Sequence, residues 1–255
     1  MKSILNKIKI NPITYILLLL SLLSGYIKTM LIITIIIFIH ELGHITFFII
    51  YKIPIEKIEF YPFGGLTIVN KRIHERIYKD LITSLAGIFF QIVLIILITI
   101  IYHNNLLHIT TYELFIKYNK LIIIFNLIPI IPLDGSKFIN TILNKYLPYN
   151  KSYQITYIIS IIALIIFVIY NTIFKINDLI IYIFFIIQLI SFIKLYNHNM
   201  NKFYLERVIY PHYYDKIINN HQTINNLKLN KYYYFYKNNH YINEKDYINS
   251  KYFKK

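Results

Sequence analysis

Apolar residues run along this chain in long unbroken stretches and do not alternate with polar ones at the periods of a soluble helix or strand. The stretches are Ile13 to Ile27, Met30 to Ile50, Leu81 to Tyr102, Phe115 to Leu133, Ile155 to Phe174 and Leu179 to Leu195. A helix needs roughly 20 such residues to cross a bilayer, so the pattern predicts about six transmembrane helices. The first stretch is short and is expected as a tilted or interrupted span, or as one unit with the second. The fourth is broken by Asn126, Pro129, Pro132 and Asp134. Between the second and third the period changes. Ile58 and Phe60, then Leu66 and Ile68, alternate around Gly64 and Gly65. That predicts a β-hairpin over Ile55 to Val69, at the membrane surface. From Asn197 onward the chain turns polar and rich in Asn, Lys and Tyr, and Tyr232 to Tyr236 could form a strand there. The expected fold class is an all-α polytopic membrane protein with a small membrane-associated hairpin or sheet. Residues 1–196 form its membrane domain and 197–255 a small basic cytoplasmic tail.

Composition agrees with the pattern and removes several function classes. Hydrophobic residues make up 56% of the 255 and charged ones only 15%. An ordinary soluble domain carries about a quarter charged residues, so a soluble enzyme is excluded. The chain has no Cys, which excludes disulfides, a thiolate nucleophile and any Cys-ligated zinc or iron–sulfur site. The net charge of +15 resembles a nucleic-acid footprint until its distribution is considered. With six spans and the N-terminus inside, only Lys28, Lys117, Lys120 and Lys175 of the 27 Lys and Arg fall outside. That asymmetry sets both termini in the cytoplasm and accounts for the charge with no nucleic-acid partner. The basic opening is not followed by a small-residue cleavage site, so an uncleaved first span is expected.

The chemistry concentrates at His40-Glu41-Leu42-Gly43-His44, inside the second apolar stretch. His residues at i and i+4 share one helix face, so two imidazoles can hold one metal ion. Glu41, beside the first of them, is placed to take a proton from attacking water. Ionisable residues at membrane depth are costly, and three within five positions point to function. Catalytic zinc sites have three protein ligands and an open position. The expected third ligand is Asp134, in Asn126-Leu127-Ile128-Pro129-Ile130-Ile131-Pro132-Leu133-Asp134-Gly135. Read by itself, Asp134-Gly135 also suits a plain helix-ending turn. Two imidazoles and a carboxylate suit zinc. Asn126 is expected either to hold substrate backbone or to make a helix–helix hydrogen bond. Gly64 and Gly65 lie in a hairpin whose edge could capture an extended substrate by main-chain pairing, with a plain surface hairpin as the alternative. His103, His108, His198, His212, His221 and His240 are scattered, and His74 is expected as a solvated residue of a basic loop.

Together F-I-H-E-L-G-H, Tyr61-Pro62-Phe63-Gly64-Gly65, Ser84-Leu85-Ala86-Gly87 and N-L-I-P-I-I-P-L-D-G resemble the site-2 protease family of intramembrane zinc metalloproteases, in its stage IV sporulation protein FB branch. The resemblance covers roughly Ile32 to Lys137. It implies a metalloendopeptidase with His40, His44 and Asp134 on zinc and Glu41 as catalytic base. It also implies a membrane-tethered protein substrate, an inactive pro-sigma factor in the sporulation branch, alongside the bilayer and regulatory membrane proteins as partners. After Ala86-Gly87 the family continues with Pro and, three residues later, Asn, where this chain has Ile88 and Gln91. That departure is expected to touch packing and not the metal. The rival class is a non-proteolytic membrane metal-binding protein or transporter, which would need the ligands but not Glu41. A transporter is expected to show matching broken half-repeats, and the second half has no counterpart of H-E-x-x-H.

Overall fold

A computed structural model of the chain describes residues 8–10, 12–61, 64–69, 72–74, 76–170, 176–210, 216–220, 224–237 and 240–252. Pro62, Phe63, Lys175, His212 and His221 of the sequence reading lie outside these residues. The chain is mostly helical and divides into two compact units, Met1–Lys71 with Ile82–Leu127, and Arg72–Leu81 with Ile128–Lys255.

The first unit holds α1 (Pro12–Leu23), α2 (Ile27–Ile50), most of α3 (Ile77–His103) and α4 (Ile109–Leu127). Three of these helices end in the same way. Gly25, Lys52 and Asn105 all take positive φ, of 75°, 56° and 57°. At each, the next amide reaches back five residues: Tyr26 N–H to Ser21 O at 2.9 Å, Ile53 to Phe48 at 2.8 Å and Leu106 to Ile101 at 3.2 Å. This left-handed stop satisfies carbonyls that an apolar helix end would leave bare. Pro54, which cannot continue a helix, follows the second of them. Ile32, Ile36 and Leu94 form the helical core, with Tyr118 and Ile122 of α4 against them.

The hairpin forms β2 (Ile55–Tyr61) and β3 (Gly64–Val69), paired antiparallel with Tyr61 opposite Gly64 and Phe60 opposite Gly65. The glycines therefore open the second strand. A third strand, β1 (Ile8–Ile10), runs parallel to β2 and gives the order β1-β2-β3. Among the described residues β3 is thus an edge. Ile45 of α2 seats the sheet by packing on Ile55 and Ile58.

The second unit contains α5 (Asp134–Tyr146), α6 (Tyr149–Tyr170), α7 (Ile176–Lys194) and α8 (Tyr196–Ile209). Pro129 and Pro132 lack a backbone donor, and the segment before α5 is accordingly irregular. Short bonds from Ile130 N–H to Ile128 O and from Leu133 N–H to Ile130 O hold it together. After α8 come β4 (Lys216–Asn220), β5 (Lys231–Lys237), β6 (His240–Asn243) and α9 (Glu244–Tyr252). The central β5 pairs parallel with β4 and antiparallel with β6. Its alternation is clean: Tyr233 and Phe235 are buried at 5% and 2% exposure, while Tyr236 is 45% exposed. They join Phe203, Tyr204, Leu227 and Ile248 in a core, with Ile73 and Tyr149 against it. Burial lifts the Tyr232 and Tyr233 hydroxyls above the usual tyrosine range, which keeps them neutral.

Ion pairs lock this module. The Arg207 guanidinium donates to Glu244 from Nε and, at 3.0 Å, from Nη2, and it donates to the Lys228 and Lys231 carbonyls. Glu206 accepts the Ile73 N–H at 2.7 Å and lies 3.4 Å from His74 Nδ1. His74 is therefore not the solvated residue expected from its basic loop. Its side chain is 2% exposed and stacks on Phe203 at 4.8 Å, because a carboxylate and an aromatic face distant in sequence enclose it.

Among the described residues three helices, α2, α3 and α6, are long and apolar enough to cross a membrane, and the pair formed by α7 and α8, bent by 44°, passes the same test together. Large apolar side chains such as Ile96, Ile100, Ile162 and Ile166 are each more than half exposed. A soluble monomer rarely carries so much apolar surface, and a bilayer supplies the missing cover.

Candidate metal centre

His40, Glu41 and His44 sit mid-helix in α2 and are buried, at 5%, 8% and 7% exposure. Each imidazole is held from behind. His40 Nδ1 lies 3.0 Å from Gln91 Oε1 of α3, and His44 Nδ1 lies 2.8 Å from the Thr83 carbonyl. Both partners are acceptors, so each Nδ1 carries the hydrogen and each Nε2 is left with its lone pair. The two Nε2 atoms face each other 3.1 Å apart. Two lone pairs at that separation repel unless a cation lies beside them. Tetrahedral zinc, with Zn–N bonds of about 2.0–2.1 Å, would set such nitrogens about 3.3 Å apart.

Small residues make this approach possible. A Cβ on Gly43 would lie 2.4 Å from the Ala86 carbonyl oxygen, and one on Gly87 would lie 2.4 Å from His40 Cε1. The α2–α3 crossing is thus closed by backbone, with the His40 ring resting on Gly87. Gly87→Ala should push the ring off its Gln91 partner and weaken zinc binding by about 10-fold or more. Competition with a chromophoric chelator would check this, and wild-type affinity would show that the ring tolerates the methyl group.

Asp134 opens α5, after the extended Leu133, and is 4% exposed. A helix N-terminus favours a carboxylate there. Lys137, one turn on and 60% exposed, donates to Asp134 Oδ1 at 2.9 Å. His40 and His44 belong to the first unit and Asp134 to the second. Two imidazoles and a carboxylate make a donor set that fits zinc with one position open. Asn126, in α4, donates from Nδ2 to the Ile122 carbonyl of its own helix at 3.1 Å. Gly64 and Gly65 lie in β3, paired with Tyr61 and Phe60.

Sequence reasoning missed the support around the ligands. Gln91 stood out only as a departure from a motif, and its effect was expected to stay with packing. In the structure its amide touches a proposed ligand directly. A polar residue in the middle of an apolar helix was the available signal. The Thr83 contact is made by a carbonyl, which no side-chain pattern reveals.

The family model of peptidase family M50 matches residues 28–107. The matched segment contains His40, Glu41, His44, Gly87 and Gln91, and ends before Asp134. The chain is 32% identical over 149 residues to Stage IV sporulation protein FB of Bacillus subtilis, covering 58% of this chain and 52% of that protein. It is 32% identical over 120 residues to a zinc metalloprotease of Methanocaldococcus jannaschii, covering 46% and 34%. The chain thus spans about half the length of the first relative and about a third of the second. Among solved structures it resembles the site-2 protease from Methanocaldococcus jannaschii, with a TM-score of 0.52 and 25% identity over 77% of this chain and 91% of that one.

Proposed function

We propose that the chain is an intramembrane zinc metalloendopeptidase, with His40, His44 and Asp134 as metal ligands and Glu41 as the general base. The observation that carries this reading is the pair of Nε2 atoms facing each other at 3.1 Å, with each Nδ1 turned to an acceptor behind it. Zinc held there would polarise the scissile carbonyl and acidify water. The chain's own residues supply the rest. Glu41 takes the proton of the attacking water on its carboxylate and returns it to the leaving amine. Lys137 holds the Asp134 carboxylate in place through Oδ1. The α2–α3 crossing, closed by Gly43 and Gly87, keeps lipid and bulk water from the back of the imidazoles.

A helical substrate must unwind before its carbonyl can be attacked, and unwinding frees backbone groups that need partners at membrane depth. The β3 edge, beginning at Gly64 and Gly65, offers those partners by strand addition, and Asn126 is assigned to substrate backbone as well. In this reading the M50 domain extends through residue 196 with six spans. The basic module over 197–255 and both termini face the cytoplasm, and the site opens to that side. The substrate is a membrane-tethered protein, with a pro-sigma factor as the first candidate, because the Bacillus subtilis relative is a sporulation protein. Co-expression with a tagged membrane-tethered pro-sigma factor should give a shortened product that disappears on zinc chelation. An uncut substrate alongside a zinc-loaded, folded chain would count against this substrate class.

A further inference from the structure

Gln91 lies in α3, in a stretch from Ile88 to Ile101 that is otherwise apolar except for Thr99, and is 0% exposed. Its Oε1 is 3.0 Å from His40 Nδ1. Its Nε2 is buried with no hydrogen-bond partner among the described residues. From α4, Asn119 donates through Nδ2 to the Gln91 backbone carbonyl at 3.0 Å, and Asn119 Oδ1 is likewise buried without a partner. A buried amide with an orphaned donor destabilises the fold compared with an apolar side chain of the same shape. Stability therefore does not account for a glutamine here. The half of the amide that is satisfied points at a metal ligand. The half that is not has no hydrogen-bond partner among the described residues.

We propose that Gln91 is a positioning residue for His40. Its Oε1 accepts the Nδ1 hydrogen, fixes the tautomer with the lone pair on Nε2, and sets the ring plane against Gly87 so that Nε2 aims at the metal. Asn119 serves the same end one step further out, by pinning the α3 turn that carries Gln91. His44 Nδ1 faces a backbone carbonyl, whereas His40 Nδ1 faces the Gln91 side chain. This rests on the metal-centre reading above.

The test uses the full-length protein in nanodiscs and two variants. Gln91→Met keeps length and apolar shape but removes the acceptor, whereas Gln91→Glu keeps an acceptor oxygen and strengthens it. Zinc affinity is read by chelator competition, and the ligand field by the visible spectrum of the cobalt-substituted protein. Second-sphere partners of metal-bound histidines typically matter by about 10- to 100-fold in affinity. Gln91→Met should lose that much and shift the cobalt bands, while the metal-free protein melts no earlier than wild type. Gln91→Glu should bind at least as tightly as wild type. Wild-type affinity and spectrum in Gln91→Met would overturn the proposal, as would equal weakening in both variants, which is the mark of packing alone. If Gln91→Met does not fold, weakened binding by Gln91→Glu overturns it by itself. A wild-type chain that binds no zinc removes the metal centre and this proposal together, a result distinct from a wild type that binds and a Gln91→Met that binds equally.

Discussion

Glu41→Gln should lower cleavage of a membrane-tethered substrate by about 10²- to 10⁴-fold while zinc content stays at the wild-type level. Glu41 and His44 are three apart on α2, and residues at that spacing are neighbours on a helix surface. Glu41 adjoins His40 in sequence, so the carboxylate borders both ligands without sharing their stripe. Glutamine keeps the size and one acceptor oxygen but has no basic site at pH 7. The proton of the attacking water then has nowhere to go, whereas the three ligand atoms are untouched. The measurement is product formation per zinc-loaded molecule, with metal counted by mass spectrometry. Undiminished cleavage would remove Glu41 from its role, and loss of zinc would turn it from a base into a ligand or a structural residue. The same variant separates the two classes raised by the sequence. A transporter needs its ligands and has no use for a proton acceptor, so unimpaired metal flux through Glu41→Gln in proteoliposomes would favour that class.

The second large effect is expected at Asp134. Asp134→Ala leaves two imidazoles to hold the ion and withdraws the only anionic donor, so zinc affinity should fall by well over about 100-fold, more than a second-sphere change produces. It also removes the acceptor of the Lys137 ammonium, which is 60% exposed and can turn to water. The fold should therefore tolerate the change, and metal-free melting should stay close to wild type. Asp134→Asn separates charge from shape. It keeps an oxygen for Lys137 but offers a neutral donor, so its affinity should fall between wild type and Asp134→Ala. Chelator competition on the three proteins gives the order. Wild-type affinity in Asp134→Ala would leave the metal without its third ligand and require a different donor.

What the sequence disclosed follows from how local each feature is. H-E-x-x-H is one helix turn, and helix geometry alone puts both imidazoles on one face. The hairpin was legible because Ile58 and Phe60 alternate at the strand period. Gly64 and Gly65, around which those residues alternate, open the second strand. The strand β1 is three residues long and pairs with a partner fifty positions away, a separation that no local pattern encodes. Span lengths were less legible. The stretch read as starting at Ile13 folds as a helix of only 12 residues, stopped by Gly25. The fourth stretch folds as helix only to Leu127, because Pro129 and Pro132 withhold the donors that a longer helix needs. The tail was the least legible part. Its composition reads as solvated, yet Arg207, Glu206 and Glu244 are all buried. Charges far apart in sequence can cancel one another, and composition does not report which ones meet.

That buried charge has a bearing on any attempt to shorten the protein. Ile73 and Tyr149 lie upstream of the polar C-terminal stretch, yet both rest on its core, and the Ile73 amide is satisfied by Glu206. A stop codon placed after Tyr196 would bare two greasy side chains and strand a backbone hydrogen. The trimmed polypeptide would suffer damage of its own, so its behaviour would not describe the membrane half left to itself.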